Sequence, residues 1–170
     1  MKDQVKFQDA KVLIFKLGQE EYGVHINQVV SIDRMQTLSI TPYPNRASHV
    51  LGVASIRDVV IPIVDMRAAL TGEALKQTDV TRIIIVKVYD KEIGIIVDAA
   101  TDVLDLPAES VEQTNILETN NVSYLLGISR FDNRIVILLD IEKLLENTTN
   151  LDDLRDMIQS FINSNEGAEA

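Results

Sequence analysis

Residues 51–70, LGVASIRDVVIPIVDMRAAL, return without a gap 75 positions later as LGISRFDNRIVILLDIEKLL, residues 126–145. Leu51 and Gly52 match Leu126 and Gly127, Asp65 matches Asp140, and Leu70 matches Leu145. Upstream, KVLIFKLGQEEYGVHI at 11–26 returns as RIIIVKVYDKEIGIIV at 82–97, offset by 71, and pairs Ile14 with Ile85, Lys16 with Lys87, Glu21 with Glu92 and Gly23 with Gly94. A plan written twice predicts two similar lobes.

The elements within each copy are short. Val12–Leu17 is β-branched and aromatic, Gly18 closes it, and Tyr22–Ile32 resumes, so a hairpin with its turn near Gly18–Glu21 is expected. TPYPN at 41–45 blocks continued pairing, with Asn45 as the cap of one helical turn over Arg46–Leu51 that Gly52 closes. Val53–Ile56 and Val59–Val64 read as strands around a turn at Arg57-Asp58, and Pro62 must then turn its nitrogen out of the ladder. Asp65 and Asp140 stand where helix N-caps belong, which accounts for both carboxylates without acid–base chemistry. The second copy predicts strands near 82–88, 93–98, 100–105, 124–129 and 134–139, with a short helical turn from Pro107. Short strands with frequent turns and no long helix between them point to small antiparallel barrels, a mainly β fold.

Around this core, residues 1–10 read as a flexible arm, 11–148 as the folded domain and 149–170 as a helix with a disordered tail. Lobe one covers about 11–70, the polar connector 71–81 follows, and lobe two covers about 82–145. Leu151, Leu154, Ile158, Phe161 and Ile162 are spaced by three and four behind Asn150, an amphipathic helix pattern.

Composition narrows the function. With 170 residues, no cysteine and two histidines, the chain offers no thiolate chemistry and little imidazole chemistry. A formal net charge of −10 disfavours nucleic acid, whose phosphates demand clustered Lys and Arg. No run reaches the roughly 20 apolar residues of a membrane span, and no signal-peptide core opens the chain, so a cytoplasmic location without membrane insertion is expected. There is no phosphate-binding glycine loop, no serine nucleophile elbow and no metal-spaced histidine pair. His25 and His49 read as structural or solvated. The acidic series Asp98, Asp102, Asp105, Glu109 and Glu112 lacks the EF-hand order and reads as a solvated face. The expectation is a non-enzyme without cofactor or metal.

From about residue 10 to 147 the chain resembles the CheW family, the coupling proteins of bacterial chemotaxis. The resemblance rests on YGVHINQVVSI at 22–32, the proline-bearing stretch before Gly52, GVASIRDVVIPIVDMR at 52–67, GIIVDAATDVLDL at 94–106 and LLGISRFDNRIVILLDIEKLL at 125–145. It implies two five-stranded SH3-like barrels around a shared core, with strands exchanged between lobes. It also implies a non-catalytic adaptor between chemoreceptor signalling tips and the regulatory domain of the histidine kinase CheA, recruited to membrane receptor arrays. Val29, Ser31, Ile32, Arg57 and Asp58 are the implied receptor groove, and Gly23, Gly52, Asp65, Gly94, Gly127 and Asp140 the structural turns and caps. The alternatives are a CheV-like coupling half without its receiver domain, or a CheW-type adaptor of another two-component pathway. Two positions depart from the family pattern. Ser55-Ile56-Arg57-Asp58 replaces the usual Asn-Leu-Arg-Gly turn, and Ser31 replaces a frequent glutamate. Asp33, two residues beyond Ser31 and so on the same strand face, is the nearby carboxylate for Arg57.

Overall fold

The computed structural model describes residues 10–35, 38–42, 49–112 and 124–148. The arm at 1–9, the cap at Asn45 and the helix expected over 151–162 lie outside the described residues. β1 (Ala10–Leu17) and β2 (Glu20–His25) form the first hairpin, and a 3-10 turn at Ile26–Gln28 leads to β3 (Val29–Arg34). β4 (Val50–Ile56), β5 (Val59–Asp65) and α1 (Met66–Thr71) complete the first copy. The second copy repeats the order with β6 (Arg82–Val88), β7 (Lys91–Val97) and β8 (Ala99–Leu106). A 3-10 turn at Ala108–Ser110, the two-residue β9 (Val111–Glu112), β10 (Leu125–Phe131), β11 (Arg134–Leu139) and α2 (Ile141–Thr148) follow.

The strands assemble into two sheets, ordered β8-β1-β2-β11-β10-β9 and β3-β6-β7-β5-β4. Each sheet therefore takes the opening hairpin of one copy and the last three long strands of the other. The mainly β, double-barrel architecture expected from the sequence is observed. Two details differ. β9 adds a sixth strand to one sheet, and each sheet contains one parallel pair, β2 with β11 and β5 with β7. These partners come from different copies joined by long crossovers, so no tight turn forces them antiparallel.

Burial on both faces explains why β1 and β6 read as unbroken apolar runs rather than alternating ones. In β6, Ile83 and Ile85 face one cluster with Ala54, Ile56, Ile61, Ile63 and Ile96, all from one sheet. Ile84, Val86 and Val88 face the opposite way, into a larger cluster that gathers Leu13, Phe15, Leu17 and Val24 of the other sheet together with Met66, Ile141, Leu144 and Leu145. Val12, Ile14, Leu106, Val136 and Leu138 fill the interior of the β1-containing sheet. The large cluster is thus a core shared by the two barrels.

The helices brace this core crosswise. Asp65 Oδ1 accepts from the Ala68 amide at 3.1 Å and its Oδ2 from the Leu75 amide at 2.9 Å; Asp140 Oδ1 accepts from the Lys143 amide at 3.2 Å. The second residue of each helix then reaches toward a hairpin of the other sheet. Arg67 meets Asp98, whose carboxylate accepts from the Gly18 amide, while Glu142 accepts from the Tyr89 amide. By the repeat offsets, Arg67 is the counterpart of Glu142 and Gly18 of Tyr89.

Gly18 turns the first hairpin as expected, but Gly23, Gly52, Gly94 and Gly127 sit inside strands. A Cβ on Gly23 would meet Val12 at 2.5 Å, and one on Gly94 would meet Ile63 at 2.8 Å, so both make room for interior packing. Gly52 and Gly127 lie at irregularities in β4 and β10, where a further segment crosses close by: Thr41 bridges Val53, and β9 pairs with β10. Val50 and Leu51 belong to β4, so the helical turn expected to run through Leu51 does not extend there, because pairing with β5 already begins at Val50. Val53 exchanges both backbone bonds with Thr41, which leaves the facing Pro62 with its nitrogen pointing away from β4; pairing with β7 starts only at Ile63. The proline is accommodated inside the sheet for that reason.

Candidate functional site

Arg57 and Asp58 form the tip of the β4–β5 hairpin with φ of 51° and 66°, the paired left-handed geometry of a tight two-residue turn. Asp58 occupies the position where glycine would carry no steric penalty, and aspartate is one of the few side chains that tolerates it. The turn aims Arg57 at the opposite edge of the same sheet. There its Nη1 donates to Ser31 Oγ at 2.9 Å and its Nη2 to Asp33 Oδ1 at 2.7 Å, while Ser31 Oγ donates to Asp33 Oδ2 at 3.0 Å. Ser31 and Asp33 share a face because strand side chains alternate with period two. The bonds close the barrel between its edge strands, β3 and β4. The Arg57 side chain remains 59% exposed, so it also faces outward.

Exposed apolar residues lie on the elements that carry this triangle, two of them on the face of β3 opposite Ser31 and Asp33. Val30 on β3, Ile32 on β3 and Val59 beside the turn are 48%, 43% and 47% exposed. Of the five residues assigned to a groove from the sequence, Ser31 and Arg57 are in direct contact. Ile32 lies on the other face of β3, paired with Ile84 of the shared core, whereas Ser31 and Asp33 pair with Ile85 and Ile83 of the barrel interior. Val29 is half-buried against the shared core, and Asp58 is exposed at the turn without entering the hydrogen-bonded triangle. Sequence reasoning misses Val30 and Val59. Both stand in apolar runs whose exposed members no periodicity marks.

A second ion network is missed in the same way. Arg134 on β11 donates to Glu21 of β2 at 2.8 and 3.0 Å and to Asp102 of β8 at 3.1 and 3.2 Å. One signal for it does exist: the 71-residue offset places Asp102 at the counterpart of Ser31, so each barrel ties its third strand to an arginine at a hairpin end. The Arg134 guanidinium holds the Asp102 carboxyl below its ordinary range, outweighing the opposing effect of burial. A carboxyl depressed in the folded state contributes stability above its unfolded value of about 3.9 and loses that contribution as pH falls through the lower folded value. Asp102→Asn is therefore expected to lower thermal stability at pH 7. The gap to the parent protein should close on acidification below about pH 4, measured by melting curves across pH.

Two further members of the acidic series form separate ion pairs. Asp105 meets Lys11, and Glu112 meets Arg130. No metal-holding cluster of three His, Cys, Asp or Glu occurs among the described residues. His49 offers its carbonyl to the Asp65 amide. His25 lines an open cleft of about 500 Å³ with Gln28, Lys87, Tyr89 and Glu142. Within the described residues, no helix is long and apolar enough to cross a membrane.

The two barrels thus carry an exposed polar network between β3 and the β4–β5 turn. A CheW-like domain model matches residues 11–149, and the chain belongs to that family. The chemotaxis protein CheW of Klebsiella aerogenes is 35% identical over 134 residues, covering 78% of this chain and 80% of the relative. That of Bacillus subtilis is 32% identical over 138 residues, covering 80% and 86%. The crystal structure of the scaffolding protein TtCheW from Thermoanaerobacter tengcongensis superposes with a TM-score of 0.73 at 27% identity, covering 82% of this chain and 94% of that one. The family is one of chemotaxis coupling and scaffold proteins.

Proposed function

We propose that this chain is a non-catalytic cytoplasmic adaptor that couples chemoreceptor signalling tips to the regulatory domain of a CheA-type histidine kinase and is recruited through them to membrane arrays. The observation that carries the receptor half is the Arg57–Ser31–Asp33 triangle, with the Arg57 side chain 59% exposed and Val59 exposed beside the turn. An exposed guanidinium held at one end offers its remaining donors to a polar group on a partner helix, and the neighbouring Val59 supplies apolar area. Val29, Ser31, Ile32, Arg57 and Asp58 are assigned to this groove, with Asp33 as the residue that orients Arg57. The kinase half rests on the CheW-like domain match over residues 11–149. Purified protein is expected to retain both a receptor-tip fragment and the kinase regulatory domain in a pull-down. Failure of folded protein to bind either one defeats the adaptor reading.

A further inference from the structure

The duplication supplies an internal standard for Arg57. In the other barrel, Arg134 Nε and Nη2, the side edge of the guanidinium, donate to the two carboxylate oxygens of Glu21 at 3.0 and 2.8 Å. Its end, Nη1 and Nη2, donates to Asp102 at 3.1 and 3.2 Å. Arg57 uses only its end, with Nη1 on Ser31 and Nη2 on Asp33. Its Nε and the second hydrogen of Nη2 have no partner among the described residues, and its side chain is 59% exposed against 31% for Arg134. Arg134 thus holds two carboxylates and Arg57 one. The sequence explains why the side edge stays open. The 71-residue offset puts Ser31 at the counterpart of Asp102 and Glu92 at the counterpart of Glu21, so a second carboxylate exists in this lobe too. The 75-residue offset, however, puts Val59 at the counterpart of Arg134. The arginine of this lobe stands two residues earlier, at the tip of a turn whose φ values, 51° and 66°, match the 51° and 62° of Asp132 and Asn133. From that tip it reaches β3, whereas Glu92 lies on β7, beyond β5 in the strand order, and forms no ion pair among the described residues.

We propose that the open Nε–Nη2 edge of Arg57 takes the carboxylate of an Asp or Glu on the docked receptor helix, side-on, as Arg134 takes Glu21 within the chain. This names the partner group of the adaptor reading and rests on that reading. Two parallel N–H groups match the two oxygens of a carboxylate in one plane, and the end bonds to Ser31 and Asp33 fix that plane before the partner arrives. A lysine has no such fork. Val59, 47% exposed at the counterpart position of Arg134, supplies apolar contact beside it.

The test is a double-mutant cycle between the full chain and a receptor-tip fragment in which each Asp and Glu is changed singly to Asn or Gln. One such change is expected to weaken binding to the parent chain about fivefold or more, and binding to Arg57→Ala by less than about twofold. Arg57→Lys, which keeps the charge and loses the fork, should bind the unchanged fragment about fivefold or more weakly than the parent chain does. Circular dichroism melts establish that each variant is folded. Equal losses for the parent chain and Arg57→Ala at every carboxylate, or an Arg57→Lys that binds as the parent does, overturn the proposal and leave the adaptor reading standing. Glu92→Gln and Arg57→Ala are expected to change stability additively; a non-additive pair means that Glu92 fills the edge from within, and the proposal falls. Absence of fragment binding by the folded parent chain defeats the adaptor reading, and this proposal with it.

Discussion

Arg57→Ala is expected to weaken binding of a receptor-tip fragment by about tenfold or more, equivalent to about 1.4 kcal/mol or more, while binding of the kinase regulatory domain stays near the parent value. The reasoning rests on the exposure of the guanidinium. An ion pair in which Arg57 is 59% and Asp33 28% exposed contributes only about 0.2–1 kcal/mol to folding, because water screens both partners. Loss of the side chain should therefore lower the melting temperature by only a few degrees. A charged donor buried against a partner is worth more, about 1.5–3 kcal/mol per hydrogen bond to a charged group. Asp33→Asn supplies the control. It keeps an oxygen for Nη2 and removes the charge, so it should loosen the aim of Arg57 and give a smaller loss of receptor binding. Parallel losses of stability and of both binding activities in the two variants would make Arg57 a strut between β3 and the β4–β5 turn, with no direct role at the receptor.

The duplicated plan was legible because it preserves spacing: glycine, apolar run, aspartate and leucine return in order, and the strand pairs they mark are present at 50–56 with 59–65 and at 125–131 with 134–139. Asp65 and Asp140 were legible as caps for a local reason, since an N-cap carboxylate bonds an amide only three residues away. The pairing of Asp33 with Arg57 followed from period two and one family expectation about Ser31. What the sequence did not reveal is long-range. Alternation and β-branching mark a strand but not its neighbour, so nothing in VVSIDR says that β3 pairs with β6 rather than with β2. Equally, nothing in ATDVLDL says that β8 joins β1. The glycines are misread through the same limitation. Gly23 and Gly94 look like turn residues until the side chains that crowd them, Leu138 and Ile63, are brought in from strands more than 30 residues away.

Gly52 is where that crowding is most severe, and Gly52→Ala is expected to be the most destabilising of the glycine substitutions. Its φ of +146° lies in a region side chains rarely adopt, and an added Cβ would land on the Thr41 carbonyl, with the Thr41 carbon at 2.8 Å and Pro42 Cα at 2.9 Å. Every one of these atoms is backbone. None can swing aside as a side chain would, so relief requires the 41–42 segment to retreat and the paired Thr41–Val53 hydrogen bonds to break. Backbone strain of about 1–3 kcal/mol and overpacking of about 1–3 kcal/mol then act together. At about 2–4 °C per kcal/mol for a chain of this size, the melting temperature should fall by roughly 10 °C. Its repeat counterpart Gly127 meets the Val111 methyl at 2.7 Å and the Glu112 carbonyl at 3.0 Å, a mixture of movable and fixed atoms. Gly94 meets only side-chain carbons of Ile63, Ile83 and Ile85. The expected order of destabilisation is therefore Gly52→Ala, then Gly127→Ala, then Gly94→Ala, read by chemical denaturation of the three variants side by side. If Gly94→Ala proves as damaging as Gly52→Ala, interior packing at the glycine, not backbone crossing, is what these positions protect.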